Sequence, residues 1–249
     1  GGATERGTAA SDSGEKSEKS FRERVEEIRE QREQQGRDVD GRSPSRSKTS
    51  SSGSSSGVPG SKYSRGTFVV PRNKHFLQKL EARARDGQAN LVETAYALTG
   101  ETYTHPTDLI PLDNRDFYLI STRTQTGLNV GAMADEVARS YSGVSSPNVI
   151  AKFHTHPGGV PKPSPADQGN ARQIYQAFVN SFGTDDFEFF HGIHSLREHG
   201  RSARPGERQQ PSVNRGRLVW DDEQFRHSIS VYGPDFQTQR SIVIESDGT

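Results

Sequence analysis

The chain has 249 residues, of which only 29% are hydrophobic, and its 32 basic and 32 acidic side chains give a formal net charge of zero. It contains no cysteine, which excludes disulfide scaffolds, thiolate zinc sites and cysteine nucleophiles. The neutral balance gives no support for a nucleic-acid partner, and no apolar run has the length of a membrane span or the pattern of a signal segment. We therefore expect a cytoplasmic protein without a membrane partner.

The first 66 residues predict a polar, largely disordered arm rather than a folded unit. Within it, residues 15–35 carry three apolar residues at helical spacing among opposite charges three and four positions apart. This pattern predicts a solvated charged helix, and a docking helix for a partner is the alternative. Residues 41–66 are rich in Ser and Gly and are interpreted as a flexible linker. One folded domain is expected over residues 67–249.

Hydrophobic periodicity in this domain predicts strands in alternation with helices. The predicted strands cover residues 67–71, 90–99 (where a helical lead-in is the alternative start), 117–122, 149–156, 186–194, 216–220, 228–232 and 240–245. The predicted helices cover residues 74–85, 129–141 and 164–182. Residues 197–216 are polar and rich in Arg, Gly and Pro, so they predict a surface insertion. The mixture indicates an α/β or α+β domain.

The residues with the clearest chemistry lie between His154 and Asp167. In a strand that ends at Pro157, His154 and His156 project to the same face, because residues two apart share a face. A Gly- and Pro-rich loop then leads to a helix whose first turn contains Asp167. Two imidazoles and one carboxylate leave one position of a tetrahedral zinc ion for water, which is the arrangement of a catalytic site.

The start of this helix also has an interpretation that needs no metal. Ser164, Pro165 and Asp167 suit the N-cap, N1 and N3 positions of an ordinary helix, where an acidic side chain favours the helix dipole. The two histidines can likewise be polar residues at a strand end. The occurrence of both features within one short segment favours a functional site over two unrelated features.

The same residues resemble the signature of a known family. His-Thr-His-Pro, then six residues, then Ser-x-x-Asp is similar to the motif of the JAMM (MPN-plus) metalloproteases. Upstream, the segment from Glu93 to Gly100 resembles the family's Glu-x-x-Gly-x-Leu-x-Gly, with Tyr96 in place of the middle glycine. Glu101 lies nearby as a rival to Glu93. By motif, the resemblance covers about residues 90–170.

The resemblance implies a cytidine-deaminase-like JAMM/MPN domain with a central, mostly antiparallel sheet flanked by helices. It implies that His154, His156 and Asp167 hold Zn²⁺. Glu93 would be the catalytic base and Ser164 would donate a hydrogen bond to the oxyanion. The implied activity is that of a zinc-dependent peptidase or isopeptidase. Its metal-activated water would cleave after the C-terminal Gly-Gly of a ubiquitin-like protein or its conjugates.

Two other functions stay open on the sequence. One is a non-catalytic MPN-like scaffold, although such relatives have usually lost metal ligands and none is lost here. The other is a DNA-associated protein of the RadC type, whose loop usually begins His-Asn-His-Pro, where this chain has Thr155. The oligomeric state is not predicted.

The remaining histidines are interpreted as structural. His191, His194 and His199 suit ordinary strand and loop positions, with a second metal site as the alternative. His75, His105 and His227 have no partner that the sequence identifies. The arginine-rich stretch 197–217 predicts a solvated loop, and a contact to an acidic partner or nucleic acid is the alternative.

Overall fold

The computed structural model describes residues 62–90, 93–113, 117–121, 126–143, 145–199 and 209–245. All of these residues belong to one compact unit, Lys48–Thr249. The predicted charged helix and the linker up to residue 61 lie outside the described residues, as do residues 200–208 of the predicted surface insertion. None of the helices in the described ranges is long and apolar enough to cross a membrane.

The described residues form eleven strands and three helices. The strands are β1 (Phe68–Pro71), β2 (Ala95–Gly100), β3 (Asp108–Pro111), β4 (Tyr118–Ser121), β5 (Thr126–Leu128), β6 (Val149–Pro157), β7 (Glu188–Glu198), β8 (Ser212–Asn214), β9 (Arg217–Asp221), β10 (Phe225–Tyr232) and β11 (Ile242–Glu245). The helices are α1 (Lys74–Asn90), α2 (Val130–Ser140) and α3 (Pro165–Phe182).

Seven strands form one mixed sheet in the order β3-β2-β6-β7-β10-β9-β8. Neighbours in this sheet run antiparallel except β6 and β7, which are parallel and are connected through α3. Parallel neighbours need such a crossover, and a helix usually provides it. Two further pairs are separate, β1 with β11 and β4 with β5. The predicted α/β class with a mostly antiparallel sheet is confirmed.

Both faces of this sheet are buried. Apolar residues therefore occupy successive positions in β2 and in the first half of β6, rather than every second position. One face packs against α1 and contributes to a cluster that includes Leu80, Tyr96, Leu98, Phe153, Phe190 and Trp220. The other face packs against α2 and α3 in a cluster that includes Ala95, Ala97, Met133, Val137, Ile150 and Phe178. Alternation along β6 places His154 and His156 on the same face as Ile150, which is the α2/α3 face.

The structure corrects several predicted boundaries. Helix α1 extends to Asn90, so the predicted strand 90–99 begins only at Ala95, where its pairing with His154 starts. The sequence pattern does not predict β3, β5 and β8, because three or four residues are too few to establish a periodicity. The predicted insertion 197–216 overlaps the end of β7 and contains β8, a polar strand at the sheet edge.

Candidate metal centre

Strand β6 places the His154 and His156 imidazoles side by side at the end of the α2/α3 face of the sheet. His154 pairs with Ala95 on β2 and with Ile193 on β7, so its backbone is fixed on both sides. His154 and His156 are 3% and 8% exposed, and their Nε2 atoms lie 2.8 Å apart. The strand prediction for these residues is confirmed, and so is their common orientation.

The loop after β6 sets the tautomer of His156. Its Nδ1 lies 2.7 Å from the carbonyl oxygen of Val160, which can only accept, so Nδ1 carries the proton. Gly158 and Gly159 have φ values of 90° and 86°, a left-handed conformation that other residues rarely adopt. This turn brings the Val160 carbonyl back to the ring. This contact directs Nε2, the nitrogen that a metal ion would bind, into the site.

His154 is held neutral by its surroundings. Burial lowers its pKa to about 4, against the opposing effect of a hydrogen bond to Asp167. At pH 7 the imidazole therefore retains a nitrogen lone pair that can bind a metal ion.

Asp167 combines the two roles that the sequence left as alternatives. Its backbone N–H donates to Ser164 Oγ at 3.2 Å, and the Ser164 N–H donates to Asp167 Oδ2 at 2.6 Å, which completes a capping box on α3. The other oxygen, Oδ1, lies 3.4 Å from His154 Nε2. Although burial raises the pKa of Asp167, the hydrogen bonds from His154 and Ser164 hold it well below its usual range. The carboxylate is thus ionised at the metal centre.

Glu93 lies directly before β2 and is buried, with Oε1 3.7 Å from His156 Nε2. Thr155 fixes this segment from the opposite face of β6. Its Oγ1 accepts from the Thr94 N–H at 2.9 Å, and its own N–H donates to the Thr94 carbonyl at 2.8 Å. The rival Glu101 is exposed and follows Gly100, which pairs with Val149. Five residues of strand separate Val149 from His154, roughly 17 Å, so Glu101 is remote from the centre.

Glu93, His154 and His156 can hold a metal ion. All three are buried, and their ligand atoms lie within 4.8 Å of one another. An ion bound at 2.0–2.1 Å to both imidazoles in a tetrahedral arrangement needs them about 3.3 Å apart, so a small ring rotation suffices. Imidazole nitrogens with a carboxylate oxygen suit several transition ions, and the donor set alone does not select one of them. Asp167 borders this group beside His154.

Lys152 was not among the residues predicted for the site, yet it is buried, with 4% of its surface exposed. It precedes His154 by two residues on β6 and therefore lies on the same face. The alternation that identified the histidine pair could also have identified this lysine.

The sequence identified no partner for His227 or His105, and the structure gives a partner to each. The Nε2 of His227 lies 2.5 Å from Asp222 Oδ2, and its Nδ1 lies 2.9 Å from His194 Nε2. His194 Nδ1 in turn lies 2.9 Å from the Tyr96 hydroxyl. His105 also has a partner, Glu245, at 3.2 Å. His194 is 33 positions from His227 and Glu245 is 140 positions from His105, so spacing could not identify these contacts, whereas Asp222 is only five positions from His227.

These contacts form one chain of hydrogen bonds, which we call the Tyr96 relay. The Asp222 carboxylate can only accept, so His227 donates to it from Nε2. His194 then bonds His227 Nδ1 through Nε2 and the Tyr96 hydroxyl through Nδ1. The relay lies on the α1 face of the sheet, opposite the metal centre, and it connects β2 to β7 across β6. Tyr96 thus has a defined packing role where the JAMM motif has glycine.

No protein-family model matches the chain, and no curated protein matches it either.

Proposed function

We propose that the chain is a zinc-dependent peptidase or isopeptidase of the JAMM type, with a cytidine-deaminase-like JAMM/MPN domain. The observation that carries the proposal is the buried group of Glu93, His154 and His156, whose ligand atoms lie within 4.8 Å of one another, with Asp167 Oδ1 3.4 Å from His154 Nε2. Two imidazoles and two carboxylates supply both metal ligands and a base, which a hydrolytic metal site requires.

Three side chains would hold the ion in this proposal. His154 and His156 would bind through Nε2, and Asp167 through Oδ1, which is free of the capping box. The carbonyl of Val160 and the capping box act as supports that orient the two kinds of ligand. Zinc supplies Lewis acidity to such a site, which makes a water molecule acidic enough to lose its proton near pH 7.

Glu93 would act as the general base and then as the general acid. Its carboxylate accepts a proton from the attacking water while the water oxygen adds to the substrate carbonyl carbon. When the C–N bond breaks, Glu93 returns this proton to the leaving amine, and the carboxylate is restored. The tie between Thr94 and Thr155 holds Glu93 in place for both transfers.

Ser164 would stabilise the negative charge that develops on the carbonyl oxygen. Its Oγ accepts from the Asp167 N–H, and its hydroxyl also hydrogen-bonds the Asp167 carboxylate. In this proposal the hydroxyl proton would turn from Asp167 to the oxyanion as the negative charge develops.

The substrate class follows from the motif resemblance. We propose a ubiquitin-like protein or its conjugate, cleaved after the terminal Gly-Gly. Two glycines carry no side chains that would obstruct a narrow approach to a buried metal. A peptide or an isopeptide bond presents the same carbonyl to this chemistry, so both are retained in the proposal.

The test is cleavage of a linear ubiquitin-like–Gly-Gly–reporter fusion by the purified full chain. We expect cleavage after Gly-Gly, loss of activity with a chelator and recovery when Zn²⁺ is restored. A fusion with the Gly-Gly pair replaced by Val-Val should resist cleavage. Chelator-insensitive cleavage, or a protein that binds no divalent ion, would refute the metallopeptidase proposal. Zinc-dependent cleavage of unrelated peptides alone would refute the substrate class.

A further inference from the structure

Phe236 has a backbone conformation that an aromatic residue rarely adopts. Its φ value is 57°, in the left-handed region that favours glycine or asparagine. It lies in the loop between β10 and β11, and yet only 1% of its surface is exposed. Backbone strain of this kind persists only where the surrounding structure determines it, and it is concentrated at functional sites. The contacts of the Phe236 ring therefore indicate what maintains this conformation.

The loop holds Phe236 in place through its own hydrogen bonds. The Phe236 N–H donates to the Gly233 carbonyl at 2.9 Å, which closes a turn. One carboxylate oxygen of Asp235 accepts from the N–H groups of Gln237 at 2.9 Å and of Thr238 at 3.1 Å. Because these bonds fix the backbone on both sides of Phe236, the ring enters the protein interior from a rigid support.

The buried ring packs against a proposed metal ligand. Its centroid is 5.9 Å from that of His154, with 61° between the planes, which is an edge-to-face contact. The ring also stacks on His191 of β7, with centroids 4.5 Å apart and 17° between the planes. His191 in turn donates from Nε2 to the Pro234 carbonyl at 3.2 Å, so it contacts both the ring and the loop. Since the last side-chain torsion of histidine has broad minima, such packing influences where His154 Nε2 points.

Phe236 also contacts the helix that carries Asp167. It belongs to a buried cluster that includes Ala171 of α3. Ala171 follows Asp167 by four residues, so both lie on the same side of this helix. Gln168, also on α3, donates from Nε2 to the Phe236 carbonyl at 3.5 Å. Phe236 is therefore in contact with β6 at His154 and with α3 one turn beyond Asp167.

We propose that Phe236 is a positioning residue of the metal centre, whose ring fixes the orientation of His154 and its spacing from Asp167. His154 Nε2 and Asp167 Oδ1 are 3.4 Å apart, close to the roughly 3.3 Å between two ligand atoms on one tetrahedral zinc ion. The inference rests on the metal centre of the proposed function, but not on its peptidase activity. It assigns to Phe236 no contact with the ion or with the substrate.

The test compares the zinc affinity of two variants of the full chain with that of the wild type. Phe236→Ala removes the ring and keeps the strained φ, whereas Phe236→Gly removes the ring and relieves the strain. Competition with a chromophoric chelator should give a dissociation constant about 10–100-fold higher in both variants. The melting temperature without zinc should be higher in Phe236→Gly than in Phe236→Ala. Affinity is thereby separated from stability.

Cobalt gives a signature that a general loss of stability would not produce. The visible absorption of bound Co²⁺ depends on the geometry of its ligands. In Phe236→Ala saturated with Co²⁺, the bands should weaken as the ligands depart from a tetrahedral arrangement. Phe236→Leu keeps apolar volume without the flat ring, so it should change the affinity and the spectrum in the same direction by a smaller amount. This variant decides the question if Phe236→Ala does not fold.

Two controls separate the positioning role from strain and from packing. Arg215 also has a left-handed φ, 52°, but lies exposed in the turn between β8 and β9. Arg215→Gly should raise the melting temperature and leave the zinc affinity unchanged. Phe68→Ala removes an equally buried ring from the cluster on the α1 face. It should lower the melting temperature while the Co²⁺ spectrum stays that of the wild type.

The outcomes distinguish this inference from the proposed function. Wild-type zinc affinity and an unchanged Co²⁺ spectrum in the folded Phe236 variants would overturn the inference and leave the ring a packing role alone. Recovery of affinity in Phe236→Gly would also overturn it, because affinity would then follow backbone strain and not the ring. A wild type that binds zinc but cleaves no fusion would refute the peptidase and leave the inference intact. A wild type that binds no divalent ion would refute both.

Discussion

Asp167 illustrates how a single side chain can satisfy two constraints at the metal centre. One carboxylate oxygen accepts the N-cap hydrogen bond of Ser164, and the other faces His154. Because the capping box restricts the rotamer, the oxygen that faces His154 is oriented before any ion binds. The start of α3 is thus part of the site and not merely adjacent to it.

The roles proposed for Glu93 and Asp167 are separable by substitution. Glu93→Gln should retain zinc and lose activity by about 10²–10⁴-fold, because it removes the base but keeps the shape. His156→Ala should lose both. The measurements are zinc per chain and initial rates on the fusion substrate, with Glu101→Gln as the matched control that keeps both. Loss of zinc from Glu93→Gln would identify Glu93 as a ligand, which the distances to His154 and His156 would also permit.

The contribution of Ser164 can be divided between helix capping and catalysis. Ser164→Ala removes the cap and should lower the free energy of unfolding by about 1 kcal/mol, whereas Ser164→Gly should lower it by only a few tenths. Both variants remove the hydroxyl and should reduce activity by about 10²-fold. Urea unfolding and initial rates give the two values. If activity falls only in the less stable variant, Ser164 is a cap and not an oxyanion donor.

Among the elements, β6 depends on a close contact with its parallel neighbour. The Phe153 ring lies directly over Gly192 of β7 and stacks on Tyr96, with ring centroids 5.0 Å apart and 5° between the planes. A side chain at position 192 would occupy the space of that ring. This packing on the α1 face sets the position of the strand that carries His154 on the other face.

Two glycine substitutions test this packing. Gly192→Ala places a Cβ inside the Phe153 ring and should lower the free energy of unfolding by about 1–3 kcal/mol. Gly169→Ala is the matched control, because a Cβ at this position in α3 meets no atom within 4 Å. It should raise the free energy of unfolding by about 0.5–1 kcal/mol. Urea unfolding measures both, and equal effects of the two substitutions would contradict the packing described.

The Tyr96 relay predicts a second effect on stability. Tyr96→Phe removes the hydroxyl that is hydrogen-bonded to His194 Nδ1 and leaves this buried nitrogen without that partner. The free energy of unfolding should fall by about 1–3 kcal/mol. Tyr103→Phe removes an exposed hydroxyl that donates to Asp186, and its effect should stay within about 0.5 kcal/mol. A negligible effect of Tyr96→Phe would show that the relay contributes nothing to stability.

The elements of the site could be predicted because their signals are local. Strand β6 and helix α3 are long, with clear hydrophobic patterns. The capping motif Ser-x-x-Asp at the start of α3 can be recognised from four consecutive residues. The choice of Glu93 over Glu101 needed the register of β2 on β6, which periodicity does not contain. The contact between Tyr96 and His194 joins residues 98 positions apart, so no local pattern could identify it.

At the scale of the whole molecule, buried neutral histidines predict sensitivity to acid. Burial holds the pKa of His191 at about 3 and that of His194 well below its usual value of 6.5. The unfolded chain therefore binds more protons than the folded one below about pH 6.5, and stability falls as the pH falls. Each histidine contributes up to about 1.4 kcal/mol per pH unit in this range.

Urea unfolding of the chelator-treated protein at pH 7 and pH 5 measures this dependence. The free energy of unfolding should be several kcal/mol lower at pH 5. Replacement of His75, which is exposed, by Asn should leave the difference unchanged. Equal stability at the two pH values would show that these imidazoles become protonated inside the folded protein without penalty.

The spacing of the site residues along the chain also bears on the order in which the centre assembles. His154, His156 and Asp167 lie within 13 positions of one another, so a short loop closes this part of the centre at little entropic expense. Glu93 is 61 positions from His154 and joins only when β2 pairs with β6. Under the proposed function, a nascent chain would bring the three proposed ligands together through local contacts, and the proposed base would join them only after long-range pairing. Partly folded molecules would then bind an ion before they could hydrolyse a substrate.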